Sequence, residues 1–290
     1  MLLKTPREFS FQLCLDFLKR SPTELLHQLH DNGVVKALGI GNQVTVFEVS
    51  PQKNALQITF LSKEPDESAK QLVAGYVREW FDLDTDLKPF YSMAENDRLL
   101  RDLIARYYGY RIVGQPDLFE SLIWAVLGQQ INLGFAYTLK RRFVQTFGER
   151  LALNDNEYFL FPTPNTVAVI TPEKLLALQF SSQKSRYTIG IAEAFAGGTL
   201  SKEKIKGLPL QEAKHELMKI KGIGNWTANY ALMKTFHYPD AFPLEDAGLH
   251  NAIKNLKKLS KKPTLPEVVK IFKKYKGWEA YATLYLWKSL

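Results

Sequence analysis

The sequence predicts a small α+β domain followed by a mostly α-helical domain. Two short β-prone runs at residues 44–49 and 55–61 are separated by the turn-rich segment 50–54, which indicates an antiparallel hairpin. Downstream, nearly every segment has helical periodicity, interrupted by glycine and proline breaks. We therefore place the α+β domain at residues 1–88 and the helical domain at residues 89–290.

Helical patterns flank the predicted hairpin in the first domain. Residues 22–32 and 67–81 carry apolar side chains at helical spacing, so we expect one helix on each side of the hairpin. No catalytic motif is visible in this domain. The five histidines of the chain show no metal-ligand spacing beyond one i,i+3 pair, and we expect them to be structural or exposed.

A glycine turn between two helices is the most informative segment of the second domain. Residues 211–219 contain no Gly or Pro, which favours a helix, and Gly222 and Gly224 then permit a tight turn. Asn225 is expected to cap a second helix, so that the hairpin spans residues 211–236. Because neither glycine has a Cβ, the main chain can approach a phosphate, and the free N–H groups that begin the second helix favour an anion there.

Two aromatic residues and one carboxylate lie beside this turn. Trp226 and Tyr230 are four residues apart and share one helix face, a spacing that is typical of core residues but that also makes a wall on which an unpaired base can stack. Asp246 lies in a proline-broken loop before an amphipathic stretch, where an Asp is expected to cap the helix. A carboxylate in that place can also act on a substrate held against the wall.

Together these residues resemble the helix-hairpin-helix (HhH-GPD) DNA glycosylase superfamily, and most closely its 3-methyladenine DNA glycosylase II, or alkylation-repair, branch. That branch's hairpin is written G-I-G-x-W-T-A-x-Y, and residues 222–230 match every specified position. The resemblance implies that Asp246 is the catalytic carboxylate. It also implies that the hairpin binds the DNA backbone, through Gly222, Gly224, Asn225 and Thr227.

Three further segments carry the resemblance, which extends over residues 90–290. Residues 127–131 resemble the family's LGQQ-type segment, which implies that Gln129 and Gln130 meet DNA and that Gln130 stands where relatives wedge a side chain into the duplex. Residues 161–164 resemble its F-P-T-P turn. Residues 281–287 resemble its closing helix, whose last residue, Trp287, lines the base pocket.

The resemblance implies a base pocket formed by Trp226, Tyr230 and Trp287. Alkylation at N3 or N7 gives a purine a positive charge, so it leaves readily and the sugar becomes oxocarbenium-like. Asp246 would stabilise that cation and orient or deprotonate the attacking water, while the aromatic pocket favours a cationic base. The expected activity is a monofunctional glycosylase that hydrolyses the N-glycosidic bond of alkylated purines, of the 3-methyladenine and 7-methylguanine type, in base excision repair.

No cofactor is expected. Relatives that cleave the DNA strand carry a nucleophilic Lys at the position of Trp226, and others hold an iron–sulfur cluster with four cysteines, whereas Cys14 is the only cysteine of this sequence. The resemblance does suggest an alkali cation held by backbone carbonyls of the hairpin, those of Met218, Ile220 and Ile223.

The charge distribution favours an anionic partner, and the resemblance implies that this partner is double-stranded DNA containing damaged bases. The formal net charge is +8, and residues 251–290 hold ten lysines and two acidic residues, so the whole excess lies downstream of Asp246. We expect Lys254 and Lys257 to contact phosphate and the protein to be a monomer. No apolar run approaches the roughly 18 residues of a membrane span, so we expect a cytoplasmic, nucleoid-associated protein.

Two alternatives stay open. A non-catalytic helix-hairpin-helix module could use the same turn to bind DNA, although it would need neither Asp246 nor the aromatic set. A glycosylase for another damaged base, oxidised or mismatched, is disfavoured by Trp226 and by the missing cysteines.

Overall fold

The computed structural model describes residues 1–41 and 43–290, and its first part is a small sheet with two helices. An antiparallel sheet of strand order β1-β5-β4-β3-β2 packs against α1 and α2. The elements in chain order are β1 (Leu2–Lys4), α1 (Phe11–Leu18), β2 (Gln28–His30), β3 (Gly33–Ile40), β4 (Gln43–Gln52), β5 (Ala55–Phe60) and α2 (Glu67–Trp80).

The predicted hairpin is confirmed. The run at residues 44–49 lies in β4, and the run at residues 55–61 lies in β5 except for its last residue, Leu61. The two strands pair with Val49 opposite Ile58, and both of these side chains are fully buried. The helix expected at residues 67–81 is α2, which begins after Asp66, whose carboxylate accepts the N–H of Ala69 at 2.8 Å. Alternating burial on the strands explains why the pattern could be recognised.

The prediction of a helix at residues 22–32 is wrong. The segment contains turns and β2, which pairs with β3. The Glu24 carboxylate accepts the N–H groups of Leu25 and Leu26, each at 2.9 Å, so these donors are satisfied without a helix. Leu26 is buried, and the burial of this side chain outweighs the helical spacing of the leucines.

The second part is mostly helical, as predicted, with one additional β-hairpin that was not predicted. Its elements are α3 (Lys88–Ala94), α4 (Arg101–Arg106), α5 (Leu118–Gly128), α6 (Leu133–Phe147), β6 (Arg150–Leu153), β7 (Asn156–Phe159), α7 (Pro164–Ala168), α8 (Pro172–Ala177), α9 (Ser182–Ala196), α10 (Lys202–Ile205), α11 (Leu210–Met218), α12 (Asn225–Phe236), α13 (Ala247–Leu256), α14 (Leu265–Phe272), a 3-10 turn (Lys273–Tyr275) and α15 (Glu279–Trp287). Within the described part of the chain, every helix is too short or too polar to cross a membrane.

Two central helices position the site. In α5, the residues from Leu118 to Leu127 are all buried, and α12 is buried over most of its length, which is typical of helices surrounded by others. The main chain of Gln115, just before α5, donates to Lys234 near the end of α12, whereas Gln129, just after α5, bonds Thr227 at the start of α12. The two helices therefore run antiparallel, and the end of α5 meets the beginning of α12.

A buried charge network joins the two parts of the chain. The Lys140 ammonium on α6 lies 3.0 Å from the carboxylate of Glu24, before β2, and 3.0 Å from that of Glu120 on α5. All three side chains are almost fully buried. Because an unpaired charge at such a site is costly, this triad fixes the first part against the helices.

Candidate active site

The hairpin turn between α11 and α12 has a backbone that only glycine suits. Gly222 has φ +100°, and a Cβ added there would lie 2.3 Å from Cγ of Tyr187 on α9. Gly224 is exposed, and a Cβ added to it would meet no atom of the described residues within 4 Å. The first glycine therefore seats the turn on α9, while the second faces open space.

Among the described residues no side chain caps the start of α12, and the prediction that Asn225 caps it is wrong. Gly224 occupies the cap position in extended conformation, and Asn225 is already helical. The Asn225 amide donates instead to the carboxylate of Glu245, at 2.8 Å. The N–H groups at the beginning of α12 consequently stay available to an anion.

The predicted aromatic wall is present. The rings of Trp226 and Tyr230 are stacked with centroids 5.3 Å apart and an interplanar angle of 25°. The hydroxyl of Tyr230 accepts the indole N–H of Trp124 at 3.0 Å, and both residues are buried. Because its buried side is tied to α5, the wall keeps a fixed position.

Asp246 caps α13 and also accepts hydrogen bonds from two indoles. Its Oδ1 accepts the backbone N–H of Leu249 at 2.7 Å and the indole N–H of Trp287 at 2.8 Å. Its Oδ2 accepts the indole N–H of Trp226 at 3.2 Å. Among the described residues no Lys or Arg pairs with this carboxylate, so its charge is held by neutral donors and is not cancelled. The cap and the predicted catalytic group are the same side chain.

Gly248 makes room for this arrangement and was not identified from the sequence. A Cβ added there would lie 3.0 Å from Oδ1 of Asp246 and 3.4 Å from the indole of Trp287. A glycine in the first turn of α13 therefore lets the indole reach the carboxylate. The only signal in the sequence is the presence of Gly in a helix that otherwise suits larger residues.

A cavity of about 1230 Å³ joins these groups. Of the predicted site residues, Asp246, Trp226, Tyr230 and Trp287 line it together, and so do Gln129, Gln130, Gly224, Asn225 and Thr227. The cavity is also lined by two residues of the first part that the sequence did not indicate, Phe17 and Arg20.

The loop between α5 and α6 is fastened to the hairpin. The Gln129 amide donates to the carbonyl of Gly222 at 3.1 Å and to the hydroxyl of Thr227 at 3.0 Å. Gln130 is exposed and has φ +57°, a left-handed conformation at the tip of the loop. The side chains of Gln129 and Thr227 therefore hold the two segments together. The Gln130 side chain, at the predicted wedge position, makes no hydrogen bond to any residue that the structure describes.

The Lys184 ammonium on α9 caps the C-terminal end of α5, just before this loop. Its ammonium donates to the carbonyls of Val126 and Leu127, each at 2.9 Å, and to that of Gln129 at 2.5 Å. A cation is favoured at a helix C-terminus because the last carbonyls lack intrahelical partners. Tyr187, one turn further along α9, lies against Gly222, so α9 supports both the loop and the hairpin turn.

The predicted phosphate lysines lie away from the cavity. Lys254 is in the last turn of α13 and Lys257 follows that helix, whereas Asp246 precedes its first turn. Eight residues of helix place Lys254 about 12 Å along the axis from Asp246. The structure does not bring these lysines together with the other predicted site residues.

The hairpin carbonyls proposed for a cation differ in availability. The carbonyl of Ile220 accepts the N–H of Ile223 at 3.1 Å. The carbonyls of Met218 and Ile223 accept no hydrogen bond from any residue in the described ranges, so their lone pairs are available to a hard cation. Elsewhere in residues 1–41 and 43–290, no three His, Cys, Asp or Glu side chains cluster as metal ligands.

Comparisons with known proteins identify the family of this chain. Residues 123–277 match the family of HhH-GPD superfamily base excision DNA repair proteins, and residues 2–122 match the 8-oxoguanine DNA glycosylase N-terminal domain. The chain is 41% identical over 293 residues to a DNA-3-methyladenine glycosylase of Bacillus subtilis (strain 168), covering 100% of this chain and 97% of that protein.

More distant matches are also named as 3-methyladenine DNA glycosylases. DNA-3-methyladenine glycosylase 2 of Escherichia coli (strain K12) is 32% identical over 62% of this chain and 60% of its own length. The solved structure of a 3-methyladenine DNA-glycosylase from Archaeoglobus fulgidus superposes with a TM-score of 0.85 at 21% identity, over 99% of this chain and 97% of that one, which shows the same fold. The chain belongs to the HhH-GPD superfamily of base excision DNA repair proteins, as a DNA glycosylase that hydrolyses N-glycosyl bonds.

Proposed function

We propose that this glycosylase acts on alkylated purines, of the 3-methyladenine and 7-methylguanine type, and that it is monofunctional. The observation that carries the proposal is the Asp246 carboxylate, held beside an aromatic cavity by the indoles of Trp226 and Trp287. A non-catalytic DNA-binding module would have no use for this arrangement. The Bacillus and Escherichia relatives are named as DNA-3-methyladenine glycosylases, which supports the 3-methyladenine part of this proposal.

The reaction needs one carboxylate. The bond between the sugar C1′ and the purine nitrogen breaks, both electrons stay with the base and cancel its charge, and the sugar becomes cationic. Asp246 stabilises that cation and accepts the proton of the water that adds to C1′. Oδ1 already accepts two hydrogen bonds, whereas Oδ2 accepts one long bond from Trp226, so Oδ2 is the oxygen left for water and sugar.

Selectivity for a cationic base follows from the aromatic wall of Trp226 and Tyr230. The stacked rings of Trp226 and Tyr230, with Trp287 beside Asp246, present electron-rich faces to the cavity. A cation over such a face gains roughly 0.5–2 kcal/mol per contact. The leaving group is selected both by its intrinsic reactivity and by this attraction.

DNA binding is proposed at three places. The N–H groups at the open start of α12, at Gly224 and Asn225, bind a backbone phosphate, and Gly222 shapes the turn before them. An alkali cation would add positive charge beside this phosphate. It would be held by the backbone carbonyls of Met218, Ile220 and Ile223. Gln130 fills the gap left by the flipped nucleotide, with Gln129 and Thr227 bracing its loop. Lys254 and Lys257 contact phosphates farther along the duplex. We further propose that the protein is a monomer, without organic cofactor or iron–sulfur cluster, and acts in the cytoplasm on the nucleoid.

The direct test is base release from defined lesions. Duplexes carrying a single 3-methyladenine or 7-methylguanine should release the free base and retain an abasic site, measured by chromatography of the released base under single-turnover conditions. An undamaged duplex of the same sequence is the control. Tight binding of both lesions without any base release would support the non-catalytic alternative and overturn the proposal.

A further inference from the structure

Lys184 is a buried cation whose ammonium ends at the loop between α5 and α6. Two of its acceptors, the carbonyls of Val126 and Leu127, belong to the last turn of α5, and each lies at 2.9 Å. The third and shortest contact, at 2.5 Å, is to the carbonyl of Gln129, which lies beyond the end of the helix. A helix cap needs only the last helical carbonyls, so the contact with Gln129 gives Lys184 a second role, that of holding the loop.

The residue that follows this carbonyl has a backbone conformation that must be held in place. Gln130 has φ +57°, in the left-handed region, which is unfavourable for a residue with a side chain. Its own side chain is exposed and bonds to no described residue, so it does not hold this conformation. The neighbours do: the Gln129 carbonyl is bonded by Lys184, and Asn132 caps α6 by accepting the N–H of Phe135 at 2.9 Å. The loop is therefore fixed on both sides of its tip.

The helix that carries Lys184 also supports the hairpin turn. Tyr187 lies one turn further along α9, and its ring would meet a Cβ added to Gly222. The Gln129 amide donates to the carbonyl of that same glycine at 3.1 Å. Lys184, Gln129, Gly222 and Tyr187 therefore form a closed set of contacts between α9, the loop and the turn. Because of these contacts, the tip of the loop and the open start of α12 keep a fixed separation.

The hold on the loop depends on the proton of Lys184. An ammonium has three N–H donors for its three carbonyls, whereas a neutral amine has two, so loss of the proton leaves one carbonyl without a donor. Burial lowers the pKa of this ammonium from 10.5 to about 8. The other titratable side chains on α9 and on the elements packed against it do not contribute to this lowering; they are Asp117 and Glu120 on α5, Glu173 and Lys174 on α8, Arg186, Tyr187 and Glu193 on α9, and Lys221 in the hairpin turn.

A loop that is already fixed matters most when a base is flipped. Turning a nucleotide out of the duplex costs unpairing and unstacking free energy, and in the proposed function Gln130 fills the gap that is left. A flexible loop would have to be ordered at the same moment, which adds a cost in conformational entropy. A loop held by Lys184 avoids that cost. The advantage is largest for a paired lesion, because a lesion without a partner base is flipped more easily.

We propose that Lys184 is a positioning residue for base flipping, whose protonated ammonium holds the Gln129 carbonyl and thereby presents Gln130 to the duplex. The inference rests on the proposed function and adds to it a residue that does not line the catalytic cavity. Lys184 touches neither the substrate nor the reacting atoms and acts only through the loop. Removal of its charge, by substitution or at alkaline pH, weakens flipping of a paired lesion and leaves the chemistry at Asp246 unchanged.

The test compares a paired lesion with an unpaired one. Single-turnover base release is measured from duplexes that carry 7-methylguanine opposite cytosine or opposite a tetrahydrofuran abasic analogue. Lys184→Met keeps the length of the side chain and removes the charge. It should slow release from the paired duplex about tenfold or more, the factor for one hydrogen bond from a charged donor, and release from the unpaired duplex by less than about threefold. Lys184→Arg keeps the charge and should restore part of the loss.

The pH profile gives a second measurement. The ratio of the wild-type rate to the Lys184→Met rate on the paired duplex should fall as the pH rises through about 8, because the wild-type ammonium then loses its proton. Titration of the lesion itself cancels in this ratio. A 2-aminopurine placed beside the lesion reports unstacking without base release, and its fluorescence rise with wild type should decrease over the same pH range. This last measurement needs no variant, so it stands even if Lys184→Met does not fold.

Controls separate positioning from a purely structural role. Lys174→Met removes an exposed lysine of α8 and should change neither rate, and thermal melting of each variant checks the fold. Equal slowing of both duplexes by Lys184→Met, or a rate ratio and a fluorescence rise that do not change around pH 8, would overturn the inference. Release of no base by the wild type would instead reject the proposed function, and the fluorescence would still decide whether Lys184 assists flipping.

Discussion

The indole N–H of Trp287 lies 2.8 Å from Oδ1 of Asp246, which joins the end of α15 to the beginning of α13. The same oxygen caps α13 through the N–H of Leu249, and Oδ2 accepts the indole of Trp226. Three elements thus fix one carboxylate. A group held in this way needs no reorganisation when positive charge develops on the sugar, and this is the condition under which electrostatic stabilisation is most effective.

Asp246→Asn should abolish base release while largely retaining binding to abasic-site DNA. In the proposed reaction the carboxylate acts on the developing sugar cation, whereas it contributes little to contacts made in the ground state. Single-turnover kinetics and binding titration measure the two properties separately. If the variant kept more than about a tenth of the wild-type rate, a loss below 1.4 kcal/mol, Asp246 would be only a helix cap.

Trp287→Phe should slow base release about tenfold at saturating enzyme, since it removes one hydrogen bond from a neutral donor to the charged carboxylate and keeps most of the aromatic surface. Affinity for undamaged duplex should not change. The matched control is Trp278→Phe, because Trp278 packs on Phe90 and Tyr281 and lines no part of the cavity. Equal slowing by both substitutions would show that the effect comes from packing.

The two glycines of the hairpin turn should respond differently. Gly224→Val should weaken binding to all duplexes, damaged or not, with little change in lesion preference, because its Cβ enters the open space where a phosphate is expected. Gly222→Ala should lower the melting temperature, since it meets Tyr187 and imposes φ +100° on a side chain. Fluorescence anisotropy and thermal melting measure the two effects. A change in lesion preference with Gly224→Val would place the turn in the base pocket.

The sequence predicted the residues that the family motif carries and missed those that only the tertiary fold brings in. Asp246, Trp226, Tyr230 and Trp287 line one cavity, as expected, because residue type and local spacing indicated their chemistry. Arg20 lines the same cavity although it lies in a different part of the chain, and no pattern in the sequence around it predicts that contact.

The elements of the fold also divide into those that local sequence patterns predict and those that depend on tertiary contacts. The β4–β5 hairpin and α2 follow from local periodicity, so they could be predicted. The segment 22–32 could not, because Glu24 satisfies its neighbouring N–H groups and pairs with Lys140, which lies far along the chain. Lys184 was missed for the same reason: its three carbonyl partners belong to the end of α5.

The buried triad around Lys140 should make stability depend on acid pH. Burial opposes ionisation of Glu24, but the Lys140 ammonium prevails and lowers the pKa of this carboxyl from 4.5 to about 2. A folded-state pKa below the unfolded value adds stability that is present above pH 4.5 and is lost as the pH falls from 4.5 towards 2. Glu24→Gln should therefore lower the free energy of unfolding by about 3 kcal/mol near neutral pH.

Urea unfolding at several pH values measures this contribution. The difference between wild type and Glu24→Gln should shrink as the pH falls below 4.5, since protonation removes the same charge from the wild type. Glu64→Gln is the control, because Glu64 pairs with Lys70 on the surface and such pairs add little. A difference that stays constant with pH would mean that packing, and not charge, accounts for the effect of Glu24.

An assay of DNA strand cleavage gives the sharpest test of the monofunctional proposal. The family resemblance implies that Trp226 stands where strand-cleaving members carry a Lys, and its indole N–H donates to Asp246. A Schiff base requires an amine at the sugar's anomeric carbon. Of the lysines that line the cavity, Lys234 is buried with its ammonium on the carbonyl of Val113, and Lys288 lies over Tyr107. Because both amines already have partners in the protein, we expect neither to attack the sugar.

Borohydride added during turnover should therefore trap no covalent protein–DNA adduct, and nicks should appear only after hot alkali. A strand-cleaving glycosylase of the same superfamily, treated in parallel, shows that the trap works. An adduct with the wild-type protein would mean that a lysine reaches C1′ despite these contacts. Substitution of Lys234 and of Lys288 by Met would then identify that lysine, and the assignment as a monofunctional enzyme would have to be withdrawn, because a reducible adduct forms only from an imine between the amine and the sugar.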